Sequence, residues 1–184
     1  LSKRMENASG SDGGNLILSI DRPIQFLAEQ KLKDGIRKYG ALGGMVGIMD
    51  PVTGDIIAMA SFPSFSPQKY WEYDESLYTN PFITNTYEPG STIKPIVMAS
   101  ALDAGIITPQ TKCSICGGPI TVGDYVLHTW NDKYYKDTNM IEVIQHSDNT
   151  GMVFVAKKLG VDRMISYLTR FGIGSLTDID LQGE

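Results

Sequence analysis

The sequence predicts an α+β domain in which helices pack on an antiparallel sheet, and three observations carry that prediction. Two apolar runs, Gly44 to Met49 and Asp55 to Ala60, flank the turn residues Asp50-Pro51-Val52-Thr53-Gly54 and so read as a β-hairpin. Helical periodicity dominates the chain outside that hairpin, before it and in its later half. The strands fall mainly before Ser91 and the helices mainly after it, which separates the two kinds of element instead of alternating them.

Composition sets the bounds. A chain of 184 residues can bury a core, and a formal net charge of −5 argues against a nucleic-acid partner. No apolar run approaches the length of a membrane-spanning helix, and no cleavable signal opens the sequence, so any anchor is expected outside residues 1–184. Residues 1–14, polar and rich in Gly, Ser and Asn, read as a flexible linker. The folded part is expected over 15–184.

In order, Asn15 to Ile20 reads as a short strand, and Asp21 as the cap of a helix whose apolar positions are Ile24, Leu27, Ala28, Leu32 and Ile36. Gly40 lies just past its end. After the hairpin, Phe62 to Thr86 reads as a long aromatic loop without an element of its own. Ser91 to Leu102 reads as a buried helix ending near Gly105, with Pro95 tolerated in its first turn. A small hairpin is expected around Gly123, with Tyr125 to Leu127 as one strand. Trp130, Tyr134 and Tyr135 follow, either lining a groove or buried. Asn139 and Glu142 form a capping-box pattern for a helix to about Gln145; further helices are expected over about 150–159 and 162–171, separated by Gly160.

Cys113 and Cys116 supply at most half a zinc site, with Asp124 and His128 the nearest further candidates. A small surface disulfide or two free thiols fits better, and neither a metal nor a cofactor is expected. His128 and His146 read as structural.

Chemistry concentrates at Glu88-Pro89-Gly90-Ser91-Thr92-Ile93-Lys94-Pro95. At the start of a helix, residues three apart share a face, which places the Ser91 hydroxyl beside the Lys94 amine as nucleophile and base. The first-turn N–H groups are free to meet an oxyanion. Ser66-Pro67-Gln68-Lys69 repeats the spacing, but among prolines and aromatics with no apolar helix after it, so it reads as a chance copy. Ser147-Asp148-Asn149 lies 56 residues beyond Ser91. Each piece alone also fits a plain role: a helix start at Ser91, a solvated Lys94, an inter-helix turn at Ser147 with Asn149 as a cap.

Ser-x-x-Lys followed by Ser-Asp-Asn is a signature of penicillin-binding proteins and serine β-lactamases. The segments Asp50 to Ser61, Glu88 to Pro95, Phe171-Gly172-Ile173-Gly174 and Asp180 to Glu184 resemble the transpeptidase domain of class B penicillin-binding proteins, over roughly residues 15–184. The resemblance implies part of the transpeptidase fold and a D,D-transpeptidase that cross-links peptidoglycan stem peptides ending in D-Ala-D-Ala, with β-lactams as covalent inhibitors and cell-wall synthesis proteins as partners. It implies the extracytoplasmic face of the bacterial membrane, and roles in division or cell shape. By position, Ser91 resembles the acylated nucleophile, Lys94 its general base and Ser147 the proton relay to the leaving amine. Asn149 resembles the residue that holds the lysine and the substrate amide. None of the eleven lysines precedes Ser-Gly or Thr-Gly. The family's third motif, Lys-Thr-Gly, is thus expected beyond Glu184, and residues 15–184 are expected to be a partial transpeptidase domain, impaired by itself. A β-lactamase or β-lactam sensor, and a non-catalytic docking module of the same fold, are the competing readings.

Overall fold

The computed structural model describes residues 15, 17–177, 179, 181 and 183. The expected linker over residues 1–14 lies outside them. By their internal contacts the described residues form two compact units: one ends at Asn85 and also includes Leu181 and Gly183, and the other begins at Thr86.

In the first unit, helix α1 (Arg22–Tyr39) starts where the Asp21 carboxylate accepts the Ile24 N–H and ends at Gly40, whose φ of 63° is the left-handed conformation that a residue without Cβ adopts readily. Ala28 and Leu32 are its buried positions, with Ile24 and Ile36 half-buried against the same cluster. Leu27, expected on the apolar face, is 56% exposed. Strands β1 (Gly44–Met49) and β2 (Ile56–Phe62) pair antiparallel, with a bulge between Ile48 and Met49. Asp50 accepts the Val52 N–H and receives the Gly54 N–H on its carbonyl, which closes the turn the sequence indicates. Helix α1 lies against this hairpin, and Gln25 clamps the two by bonding both backbone groups of Met59.

Two expectations for this unit are corrected. The described residues before Asp21 form no strand; only the Ser19 hydroxyl and the Asp21 N–H reach carbonyls of β2, at Ile56 and Ile57. Isolated bonds do not make a ladder. The aromatic stretch after Phe62 is not featureless either. It holds 3₁₀ turns at Pro67–Glu72 and Glu75–Tyr78 and a one-turn helix, α2 (Pro81–Thr84), the last two opened by the Asp74 and Asn80 side chains.

The second unit is helical with a small hairpin. A 3₁₀ turn (Gly90–Ile93) leads directly into α3 (Lys94–Asp103). Strands β3 (Ile120–Val122) and β4 (Tyr125–Leu127) pair around Gly123. Helix α4 (Met140–Gln145) begins with the full capping box between Asn139 and Glu142. Helix α5 (Asn149–Leu159) follows, and Gly160 separates it from α6 (Val161–Arg170). Helix α5 contacts α3, α4 and α6, and it supplies Phe154, Val155 and Leu159 to the core. Close approach of α4 and α5 depends on Gly151: a Cβ there would lie 2.5 and 2.6 Å from the two methyl carbons of Val143. The whole fold is α+β as the sequence predicts.

Cys113 and Cys116 form a disulfide, but within this core and not on the surface, with exposures of 1% and 0%. Ile107, Met140 and Val143 belong to the same cluster. The Cys113 N–H donates to the Thr138 carbonyl, tying the segment to the start of α4.

Candidate active site

Sequence places the nucleophile segment where its backbone cannot be regular. Gly90 has φ of 59°, turning the chain after Pro89 so that Ser91 enters a 3₁₀ turn. The first hydrogen bond of that turn runs from the Thr92 N–H to the Pro89 carbonyl, so the Ser91 N–H lies ahead of the ladder. Lys94 is the first residue of α3 and is half-buried, whereas Ser91 is exposed.

The other side comes from the turn between α4 and α5. Ser147 has φ of 52°, an uncommon value for a residue with a Cβ, and it aims the hydroxyl back toward α3. Asp148 then caps α5, taking the Thr150 and Gly151 N–H groups and the Thr150 hydroxyl on one carboxylate oxygen.

Four side chains meet there. Lys94 Nζ donates to the Ser147 carbonyl at 2.7 Å, to Asn149 Oδ1 at 2.6 Å and to Ser147 Oγ at 3.1 Å. Ser147 Oγ in turn lies 3.1 Å from Ser91 Oγ. All four sequence-predicted residues are thus brought together within the second unit, but not by the expected contact. Among the described residues no hydrogen bond joins Ser91 directly to Lys94; Ser147 stands between them. Pairing across one helical turn is a local expectation, while the bridge depends on how α5 packs against α3. Asn149 departs from expectation in part: one amide N–H goes to the His128 carbonyl at 2.8 Å.

Burial lowers the Lys94 pKa from its ordinary value, because the ammonium loses water; the negative charge of Asp148 acts in the opposite direction. The sequence offers Asn149 as a helix cap; in the structure Asp148 is the cap and Asn149 the first residue of α5, and the buried Asp148 acts on the lysine.

Around these residues, the segment after β4 supports the turn. Trp130 Nε1 donates to the His146 carbonyl, and Tyr135 stacks on the His146 ring at 4.5 Å. Trp130 is nevertheless 73% exposed, so it is not one of the buried aromatics. His128 bonds Asp132 and Tyr134 through Nδ1. A cavity of about 880 Å³ opens beside Lys94, with Glu88 and Asn149 on its polar side and Val97, Leu127 and Met152 on its apolar side.

The second Ser-x-x-Lys copy has no comparable setting. Lys69 lies in the irregular 3₁₀ segment with φ of −136°, and its exposed ammonium pairs with Glu72 at 3.4 Å. Both cysteine sulfurs are consumed by the disulfide, so neither can serve as a thiolate ligand, and among the described residues no cluster of three or more His, Cys, Asp or Glu could hold a metal ion. Among them too, no helix is long and apolar enough to cross a membrane.

Comparison with known proteins gives a consistent picture. A family model described as the penicillin binding protein transpeptidase domain matches residues 44–184. The chain is 34% identical over 174 residues to Stage V sporulation protein D of Bacillus subtilis, covering 94% of this chain and 27% of that protein. It is 33% identical over 171 residues to the probable peptidoglycan D,D-transpeptidase PbpC of Pseudomonas aeruginosa, covering 92% and 30%. With the peptidoglycan D,D-transpeptidase FtsI of Escherichia coli it shares 29% identity over 183 residues, covering 98% and 30%. The chain therefore spans less than a third of the length of these curated relatives. Among solved structures, a peptidoglycan glycosyltransferase from Burkholderia ambifaria superposes with a TM-score of 0.78 at 28% identity, covering 91% of this chain and 48% of that one.

Proposed function

The chain belongs to the penicillin-binding protein transpeptidase family, and from that premise we propose that the whole protein is a peptidoglycan D,D-transpeptidase acting through an acyl-enzyme on Ser91. The observation that carries this reading is the hydrogen-bonded series Lys94, Ser147, Ser91, three groups from two helical segments meeting at 3.1 Å steps.

The donor count of Lys94 suits a base. Its contacts with the Ser147 carbonyl and Asn149 Oδ1 are to atoms that only accept, so in the neutral amine they occupy both N–H groups. The lone pair is then left for the one partner that can also donate, the Ser147 hydroxyl. As Ser91 Oγ attacks the carbonyl carbon of the penultimate D-Ala, its proton passes to Ser147 Oγ while the Ser147 proton passes to Lys94. The proton then returns from Lys94 through Ser147 Oγ to the departing amine, and the C–N bond breaks to release D-Ala. The amine of a second stem peptide attacks the ester, and Ser91 recovers its proton. The Ser91 N–H and its neighbours in the first turn are available to the oxyanion. The apolar side of the cavity next to Lys94 offers a seat for the alanine methyl groups.

β-Lactams acylate the same serine, and stem peptides, together with other cell-wall synthesis proteins, are the partners of the whole protein. We assign the domain to the extracytoplasmic face of the bacterial membrane. Peptidoglycan is cross-linked there, and a disulfide such as Cys113–Cys116 persists under the oxidising conditions found outside the cytoplasm.

The decisive experiment incubates the full-length protein with a penicillin and, separately, with a D-Ala-D-Ala pentapeptide plus an acceptor amine. Expected are a stoichiometric burst of penicillin binding without sustained hydrolysis, and release of D-Ala coupled to amide formation. Steady turnover of penicillin would make the protein a β-lactamase, and no covalent reaction with either would leave only a docking role.

A further inference from the structure

Asp148 has a buried carboxylate that its capping role uses only in part. It stands between the two residues whose oxygens hold Lys94, it is 2% exposed, and its carboxylate is used unevenly. Oδ1 accepts the Thr150 N–H and hydroxyl, each at 2.7 Å, and the Gly151 N–H at 3.1 Å. Oδ2 is buried with no hydrogen-bond partner. A neutral Ser or Asn would cap α5 through one oxygen as well, and an unpaired buried carboxylate oxygen is costly. The cap thus leaves one buried carboxylate oxygen without a hydrogen-bonded role.

Lys94 is the group that feels it. Burial strips water from the ammonium and the Asp148 charge partly restores its favour. The remaining charged groups on the surrounding elements are engaged or remote. Asp103, at the far end of α3, is held by Tyr167 and Arg170; Glu142 closes the capping box of α4; His146 stacks on Tyr135; His128 faces Asp132. Lys157 and Lys158 occupy the last turn of α5, Asp162 and Arg163 belong to α6, and Glu88 lines the same cavity as Lys94.

We propose that Asp148 is a positioning residue for the acylation step: its buried carboxylate is the fixed counter-charge for the ammonium that Lys94 becomes when the Ser91 proton arrives through Ser147. The proposal rests on the reading of Lys94 as the base. In it, Asp148 sets how strong that base is, and hence how acidic the medium can become before Ser91 stops reacting.

The sign follows directly. Neutralising Asp148 makes the Lys94 ammonium less favourable, so the amine sheds its proton at lower pH and is a weaker base. In the full-length protein, the second-order rate of acylation by a fluorescent penicillin is measured from pH 4 to 9 for the wild type, Asp148→Asn, Asp148→Ser and Lys94→Ala. Asn keeps the oxygen that caps α5. Its acid limb is expected about one pH unit or more below that of the wild type, the low end of what a single nearby opposite charge does. Asp148→Ser, which caps α5 through a hydroxyl oxygen and is equally neutral, is expected to move the limb the same way. Unfolding midpoints in guanidinium show which variants fold. Asp148→Asn decides the matter if it folds, and Asp148→Ser decides it otherwise; an unmoved limb in the deciding variant overturns the proposal. A wild-type limb that persists in Lys94→Ala would instead overturn the base assignment, and the Asp148 role with it.

Discussion

The hydroxyl oxygens of Ser91 and Ser147 lie 3.1 Å apart although 56 positions separate them in the chain. Ser91 is carried by a 3₁₀ turn ahead of α3 and Ser147 by the turn ahead of α5, so the packing of those two helices sets the distance between nucleophile and relay.

A labelled penicillin is expected on Ser91 alone. Only that copy of the Ser-x-x-Lys pattern has its lysine drawn into a hydrogen-bonded site, whereas Lys69 is paired with Glu72 in solvent. Peptide mapping after labelling checks this, and label on Ser66, or label surviving Ser91→Ala, would show the wrong serine has been chosen.

Lys94→Arg should be nearly as damaging as Lys94→Ala, each slowing acylation by at least about 10²-fold, because a guanidinium stays protonated and has no lone pair to offer Ser147. Recovery of much of the rate by Arg would mean that the site needs a positive charge and not a base.

Ser147 allows the hydroxyl to be separated from the backbone. Its φ of 52° costs a residue with a Cβ roughly 1–2 kcal/mol. Ser147→Gly should therefore be at least as stable as the wild type in guanidinium, while acylation falls by about 10²-fold or more, as in Ser147→Ala. A Gly variant that acylates normally would remove Ser147 from the proton path.

Much of the scaffold for these residues is legible in the sequence because it is written in short-range patterns. The Asp21 cap, the Gly40 end, the Asp50 to Gly54 turn and the Asn139/Glu142 box each involve side chains within a few residues of the backbone they satisfy. What escapes is either too short or too distant. One-turn elements such as Pro81–Thr84 are shorter than any periodicity, and the segment before Asp21 has strand-like residues but meets β2 at only two points. At the site, the residue types are legible and their connection is not. The Ser147 bridge and the burial of Asp148 exist only once α5 lies against its neighbours.

Gly151→Ala should destabilise the protein by about 1–3 kcal/mol, since the new methyl would sit 2.5 Å from a Val143 methyl. Adding Val143→Ala opens that space, and a double-mutant cycle from denaturant midpoints is expected to give a coupling of at least about 0.5 kcal/mol. Strict additivity would mean that α4 and α5 adjust freely.

Acid should weaken the start of α4. The Asn139 N–H and then the Thr138 hydroxyl hold the Glu142 carboxyl below its ordinary value. A depressed carboxyl adds stability above its unfolded value of about 4.3, and that contribution disappears as pH falls through the folded value. The unfolding midpoint of Glu142→Gln should accordingly lie below the wild type at pH 7 and converge with it in acid; a constant gap would show that the charge plays no part.

The burial of Cys113 and Cys116 has a consequence for the history of each molecule. In the folded protein Cys113 and Cys116, with residue exposures of 1% and 0% in the cluster that also holds Ile107, Met140 and Val143, are shielded from an oxidase or a small disulfide. The bond must be made while the nascent chain is still open. A copy that folds first would keep its thiols for as long as it stays folded, so the oxidation state of an individual molecule records the order of two events in its biogenesis.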